Sequence, residues 1–256
     1  MKLIIKFLIN IIPRPQLIFW SKILQPFLDF FFRGNNFTDP INEKSYRTFL
    51  PYGYVSQRKN ALSPGTLSLE RHRLLWLYLK NETGFFKKNL KVLHIAPEQC
   101  FYNVFKKLEN INYTTFDLNS PLADIKGDIC NMPFKNNSFD YILCNHVLEH
   151  IKDEKKAMTE LFRVLNSHGT AILQVPINLN NKTTFEDNSI TNRQERIEKF
   201  GQYDHVRLYG LDYFTRLQNI GFEVKQVKYA SKFKKEEILK YSIEENEIIP
   251  VCKKLI

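Results

Sequence analysis

The sequence predicts an α/β fold, a mostly parallel sheet with helices on both faces, preceded by a helical N-terminal extension. Three observations predict it. Between residues 92 and 176, short runs of β-branched and aromatic residues alternate with helix-like stretches, the rhythm of βαβ units. Polar or acidic residues (Asp117, Asp128, Asn145) close or follow the strand-like runs, at the carboxyl edge where open α/β sheets bind ligands. Residues 1–33 differ from the rest, being rich in Phe, Ile and Leu with polar residues at helical spacing.

The extension reads as two amphipathic segments. Lys2, Lys6 and Asn10 lie four apart and form one narrow polar stripe on an otherwise apolar run. Pro13-Arg14-Pro15 breaks that run. Residues 16–33 repeat the pattern, with Lys22, Gln25, Asp29 and Arg33 spaced by three or four. Neither segment reaches the ~20 apolar residues that a bilayer crossing needs. No small-residue cleavage site follows the charged start, so no signal peptide is expected. The wide apolar faces fit helices lying in a membrane interface, with Trp20 at head-group depth. Lys2, Lys6, Arg14, Lys22 and Arg33 against the lone Asp29 favour anionic lipid. The competing reading is that these helices cover an apolar face of the domain or of a partner subunit.

Residues 34–67 contain two turns of the same form, Asp39-Pro40-Ile41-Asn42 and Ser63-Pro64-Gly65-Thr66. Ser68 reads as the N-cap of a helix whose apolar face is Leu69, Leu74, Leu75, Leu77, Tyr78 and Leu79. Arg71 and His72 on it suit either an anionic substrate or structural ion pairs, and ion pairs are the more usual outcome.

Val92-Leu93-His94-Ile95 is a short apolar strand leading into the turn Ala96-Pro97-Glu98-Gln99 and a helix over 101–108. The next strand, Tyr113-Thr114-Thr115-Phe116, ends in Asp117. That carboxylate follows the turn by about 20 residues, where a βαβ unit meets the ribose hydroxyls of a nucleoside. Asp128-Ile129 and the turn Met132-Pro133-Phe134 come next. The strand Phe139-Asp140-Tyr141-Ile142-Leu143-Cys144 runs into Asn145-His146, and after a helix comes the strand Ala171-Ile172-Leu173-Gln174-Val175. Residues 211–220 form an amphipathic helix stopped by Gly221. Residues 222–227 read as a strand and 232–245 as an exposed charged helix. Residues 247–252 read as a last antiparallel strand at the sheet edge.

This succession resembles the class I S-adenosylmethionine-dependent methyltransferases, the type-11 branch in particular. The resemblance rests on VLHIAPE, FDLN, GDICNMPF, NNSFDYILCNHVLEH and ELFRVLNSHGTAILQVP, and covers roughly residues 91–227. It implies a Rossmann-like seven-stranded sheet and S-adenosylmethionine as cofactor. Asp117 would meet the ribose, Asp128 and Ile129 the adenine edge and ring, and Leu118 the other face of the ring. Asn145 and His146 end the fourth strand of that sheet. Family members usually carry three glycines where this chain has Ala96, Glu98 and Cys100, and an acidic residue where it has His94. A subset shares the H-x-A-P-E turn, in which Pro97 fixes φ and Glu98 would accept from the cofactor ammonium. The resemblance also implies a zinc ribbon over 34–67, here degenerate. Asp39, Asn42, Ser63 and Thr66 stand at the ligand positions and cannot replace thiolates. The domain reading is therefore 1–33 extension, 34–67 ribbon-like segment and 68–256 methyltransferase domain.

Methyl transfer needs a base only when the acceptor must lose a proton. Two histidine constellations qualify. One is His146, Glu149 and His150. The other is Asp204-His205, with Tyr203 and Arg207 as possible anchors, in the long polar segment 177–207. His146 and His150 at i, i+4 have metal-like spacing, yet no further Cys or His cluster lies near them in sequence, so no metal is expected. His205, Asp204 and His146 are the catalytic candidates. His94, Ala96, Glu98, Asp117, Leu118, Asp128, Ile129 and Asn145 are the cofactor-binding ones.

The net charge of +10 suits anionic partners or simply a solvated surface. No nucleic-acid-binding module accompanies it. Cys100, Cys130, Cys144 and Cys252 form no C-x-x-C pair, which suits reduced thiols in the cytoplasm, here at the inner membrane face. The expected acceptor is a small, lipid-linked or glycan-like molecule. The alternatives are a non-catalytic adaptor or a cofactor-binding relic of the same fold.

Overall fold

The computed structural model describes residues 14–53 and 57–255. Helix α1 (Arg14–Phe31) leads into two small antiparallel ribbons, β1 (Arg33–Asp39) with β2 (Lys44–Tyr46) and β3 (Leu50–Tyr52) with β4 (Arg58–Leu62). Then follow α2 (Glu70–Glu82), β5 (Leu90–Ile95), α3 (Gln99–Phe105), β6 (Ile111–Asp117), β7 (Ile125–Lys126) and β8 (Phe139–Cys144). A 3₁₀ turn at Leu148–His150 precedes α4 (Glu154–Val164) and β9 (Leu165–Ile172). The short pair β10 (Phe185–Glu186) and β11 (Arg207–Leu208) brackets α5 (Arg193–Phe200). The chain closes with α6 (Tyr213–Ile220), β12 (Glu223–Val227), α7 (Lys235–Tyr241) and β13 (Ile249–Lys253).

The central sheet has seven strands in the order β12-β13-β9-β8-β5-β6-β7. Its pairs from β9 to β7 are parallel, and β13 is antiparallel to both neighbours. The strand expected at the edge is therefore inside, between β9 and β12. Its residues explain why: Ile249, Val251 and Cys252 are buried on both faces, whereas β12 exposes Glu223, Lys225 and Gln226 and is the true edge. Alternation along β5 sends Val92 into the apolar layer under α2 and α3, and Leu93 into the layer under α4 and α6.

Ser68 does not cap α2. Its hydroxyl donates to Asp39 Oδ2 at 3.1 Å, and the helix starts one residue later, where His72 Nδ1 accepts from the Leu69 N–H at 3.1 Å. The two proline turns of the ribbon segment do meet in space. Asp39 is fully buried and accepts from the Thr66 hydroxyl and the Ile41 N–H as well. Ser63 Oγ accepts from the N–H groups of Gly65 and Thr66, and Asn42 donates to Tyr46. A hydrogen-bonded polar knot thus occupies the four ligand-like positions, with Arg73 buried beside it and bonded to four backbone carbonyls.

Helix α1 is turned against the usual sense. Ser21 bonds to Gln99 at 3.0 Å, Gln25 donates to the Gly65 carbonyl, and Asp29 accepts from Tyr46 and Lys44. Ser21, Gln25 and Asp29 therefore face the protein, while Lys22 stays exposed. Phe19, Trp20, Ile23, Leu24, Phe27, Phe30 and Phe31 face outward, 43% to 73% exposed. The expected segment carrying Lys2, Lys6 and Asn10 lies outside the described residues. Among the described residues no helix is long and apolar enough to cross a membrane.

Candidate functional site

A cavity of about 520 Å³ opens at the carboxyl ends of β5, β6 and β8. The strands end there because each gives way to a turn that bends its polar residues over the edge. After β5 the turn needs a left-handed residue, and Ala96 takes φ 49°. After β8, His146 takes φ 55°. Both are conformations that favour glycine, and both side chains line the cavity. Gly127 lies on the same wall, where a Cβ would stand 2.7 Å from the Phe116 ring.

Seven of the eight expected cofactor residues line this cavity: Ala96, Glu98, Asp117, Leu118, Asp128, Ile129 and Asn145. Asp117 Oδ1 accepts from the N–H groups of Asn119 (2.7 Å) and Ser120 (2.5 Å), which holds the carboxylate while Oδ2 remains without a hydrogen bond among the described residues. Asp128 Oδ1 is held in the same way by the Cys130 N–H at 2.8 Å. Leu118 is 62% exposed and Ile129 is buried, so apolar surface is available on the cavity wall beside the two carboxylates. Asn145 is 4% exposed, and neither its Oδ1 nor its Nδ2 has a partner. A buried amide left without bonds is costly unless a ligand completes it.

His94, the eighth, does not line the cavity. It is fully buried, with Nδ1 2.7 Å from the Tyr113 hydroxyl and Nε2 2.5 Å from Glu98 Oε2. Glu98 reaches the cavity wall, but its other oxygen stands 3.7 Å from His72 Nε2. Burial pushes the Glu98 carboxyl up, and the opposing pull of His94 and then His72 outweighs it and holds the group down at about 2. Glu98 is thus an ionised anchor of the β5 turn, with Oε2 paired to His94 and Oε1 without a hydrogen bond among the described residues. His72 is packed beneath, and burial keeps it neutral. Arg71, which sequence left undecided, lines the cavity, with its Nε unpartnered. Only its place on the β5-facing side of α2 marks it out.

The catalytic candidates separate. His146 lines the cavity with its Nε2 unpartnered, and burial lowers its pKa, so it is a neutral base. Asp204 also lines the cavity. His205 does not: it is 5% exposed, its Nδ1 bonds to the Phe200 carbonyl at 3.0 Å, and its ring packs edge-on to His150 at 4.7 Å. Arg207 is 3% exposed and bonded to the carbonyls of Leu148, Ile151 and Lys152 and to Glu186. It ties the 177–207 segment to the 3₁₀ turn and is not placed to anchor an acceptor. Tyr203 is covered by the Arg193 guanidinium at 4.3 Å.

Residues 90–173, about a third of the chain, match the family model described as a methyltransferase domain. An uncharacterized protein of Methanocaldococcus jannaschii is 38% identical over 82 residues, covering 30% of this chain and 36% of that one. Ajmaline N-methyltransferase of Rauvolfia serpentina is 31% identical over 83 residues, covering 32% of this chain and 26% of that one. The chain thus spans about a third and a quarter of the length of these curated relatives. Among solved structures, the [4+2]-cyclase SpnF superposes with a TM-score of 0.52 at 12% identity, covering 85% of this chain and 92% of that one, which is a likeness of fold.

Proposed function

We propose that this chain, whose residues 90–173 are a methyltransferase domain of the class I, S-adenosylmethionine-dependent kind, transfers the methyl group of that cofactor to a small, lipid-linked or glycan-like acceptor. The observation that carries the reading is the cavity at the β5, β6 and β8 ends, with Asp117 Oδ2 and the buried Asn145 amide left without hydrogen bonds among the described residues.

The residues present fit the cofactor. Asp117 would accept from the two ribose hydroxyls, Asp128 from the adenine amine, and Leu118 and Ile129 would pack on the ring. Asn145 offers both a donor and an acceptor to the amino-acid end, and Glu98, whose Oε2 is held by His94, has Oε1 left to accept from the cofactor ammonium. When bound, the cofactor supplies an electrophilic methyl group on a sulfonium. This chain's own contribution is to hold an acceptor near it, where proximity supplies much of the rate. His146, neutral and facing the cavity, receives the acceptor's proton where one must leave.

Action at a membrane surface is supported by α1. Ser21, Gln25 and Asp29 are spent on the protein and Lys22 is exposed, so the outward apolar stripe with its lysine is left for a lipid interface.

Calorimetric titration with S-adenosylmethionine tests the reading; one saturable site per chain is expected, and no heat at any concentration would refute it. A second reading, a cofactor binder without turnover, is favoured by the pairing of Glu98 with His94 and by Ala96 in place of glycine. Binding that is never followed by methyl transfer to membrane extract or glycan pools would favour it.

A further inference from the structure

The fold brings a distant histidine, His205, to the sequence neighbours Glu149 and His150 beside the cavity. Glu149, His150 and His205 each offer a donor atom, and the three atoms lie within 4.8 Å of one another. Glu149 is fully buried, and neither of its oxygens has a hydrogen-bond partner. His146 Nδ1 stands 3.4 Å from Oε1. A buried carboxylate with no donor bonded to it is an expensive thing to keep.

The two imidazoles are oriented for one purpose. A carbonyl oxygen can only accept, so His205 Nδ1 must donate to Phe200 at 3.0 Å, and this leaves the His205 Nε2 lone pair free. His150 Nδ1 likewise faces the Asp204 carbonyl at 3.3 Å and Asp204 Oδ2 at 3.4 Å, which frees its Nε2. A ring nitrogen tied to a carbonyl or carboxylate, with the other nitrogen left free, is the outer-shell arrangement of metal-binding histidines.

We propose that Glu149, His150 and His205 bind a divalent first-row transition ion beside the cavity, whose wall His150 reaches. Two imidazoles and one carboxylate suit zinc, iron or manganese better than magnesium or calcium, which prefer oxygen alone. Ligand atoms around such an ion stand ~3.3 Å apart for bonds near 2.0–2.1 Å, so side chains now up to 4.8 Å apart draw in by roughly an ångström on binding. Three protein ligands leave a coordination position open, for water or for an oxygen of a bound molecule. Asp204, bonded to His150 on the Nδ1 side, holds that ring in place rather than reaching the ion. The ribbon segment is a different place and has no imidazole or thiol at its four turn positions.

The test uses the full chain, stripped with a chelator and titrated with Zn²⁺ alone, without cofactor. One equivalent per chain is expected, with a raised melting temperature. Co²⁺ should give visible d–d bands of an imidazole and carboxylate site. His205→Ala and Glu149→Gln should weaken binding by roughly a hundredfold. Because both positions are buried, His150→Gln at a half-exposed position serves as the variant least prone to unfold. His168→Ala, at an exposed histidine outside the cluster, should bind as the unaltered chain does. No saturable Zn²⁺ site and no Co²⁺ bands, or an affinity unmoved by His150→Gln, would overturn the proposal. S-adenosylmethionine binding is measured separately, so a failed ion site and a failed cofactor site are told apart.

Discussion

Asp117→Asn is the sharpest perturbation of the cofactor reading. The carboxylate has two jobs on separate oxygens. Oδ1 holds the turn after β6 through the N–H groups of Asn119 and Ser120, and Oδ2 is left toward the cavity. Asparagine keeps an oxygen for the turn and sets an amide donor where the ribose hydroxyls need a charged acceptor. Losing hydrogen bonds to a charged group costs about 1.5–3 kcal/mol. That is a rise in Kd for S-adenosylmethionine of roughly 10- to 150-fold. Asp117→Ala removes the turn bonds as well and should cost a further ~1–2 kcal/mol of folding stability. The assay is calorimetry on both variants, with urea unfolding as the control. Asparagine should weaken binding while leaving the unfolding midpoint near that of the unaltered chain. Equal affinity of Asp117→Asn and the unaltered chain would refute the ribose assignment, whatever alanine did.

Three further outcomes follow. Ala96→Gly relieves a left-handed alanine, worth ~1–2 kcal/mol, against an entropic cost of ~0.5–1 kcal/mol, so the unfolding midpoint should rise slightly; a clear fall would mean that the Ala96 methyl makes contacts worth more than its strain. Burial raises the Glu247 carboxyl from 4.5 to about 7, so the folded chain holds that proton where the unfolded chain has released it. Its stabilising effect is complete below the unfolded value and is lost as pH rises through about 7. Glu247→Gln should therefore gain about 1–2 kcal/mol at pH 8 relative to pH 5 in paired urea titrations, and an unchanged pH dependence would count against it. Phe27→Glu with Phe30→Glu removes two outward rings, each worth ~1.5–3 kcal/mol of apolar burial, and co-sedimentation with anionic vesicles should fall roughly a hundredfold. If the unaltered chain does not sediment with vesicles at all, the α1 stripe has some other occupant.

The succession of strands along the chain, the carboxylates at their ends and the turn after β5 were legible in the sequence because they are local. Period-two apolar runs, turn residues and the step of about 20 residues to Asp117 depend on neighbours along the chain. The last strand was legible as a strand, but not its place, because antiparallel insertion between β9 and β12 is a choice among distant partners. The same limit governed the side chains. Periodicity found the two faces of α1, yet which face turned inward was decided by Gln99, Gly65 and Tyr46, which supply polar partners for Ser21, Gln25 and Asp29. His94 and Glu98 read as cofactor contacts because they flank the expected loop, and only the fold revealed that His94 lies off the cavity and is bonded to Glu98 Oε2. His146, Glu149 and His150 read as metal-like spacing with nothing to complete it. The completing His205 lies beyond α4, β9 and α5, and Arg207 fastens it there by binding the carbonyls of the 3₁₀ turn. Spacing along a chain states which groups can share a helix face or a strand end. Which groups share a site across the fold is set by long-range contacts, and those exist only once the whole core has closed.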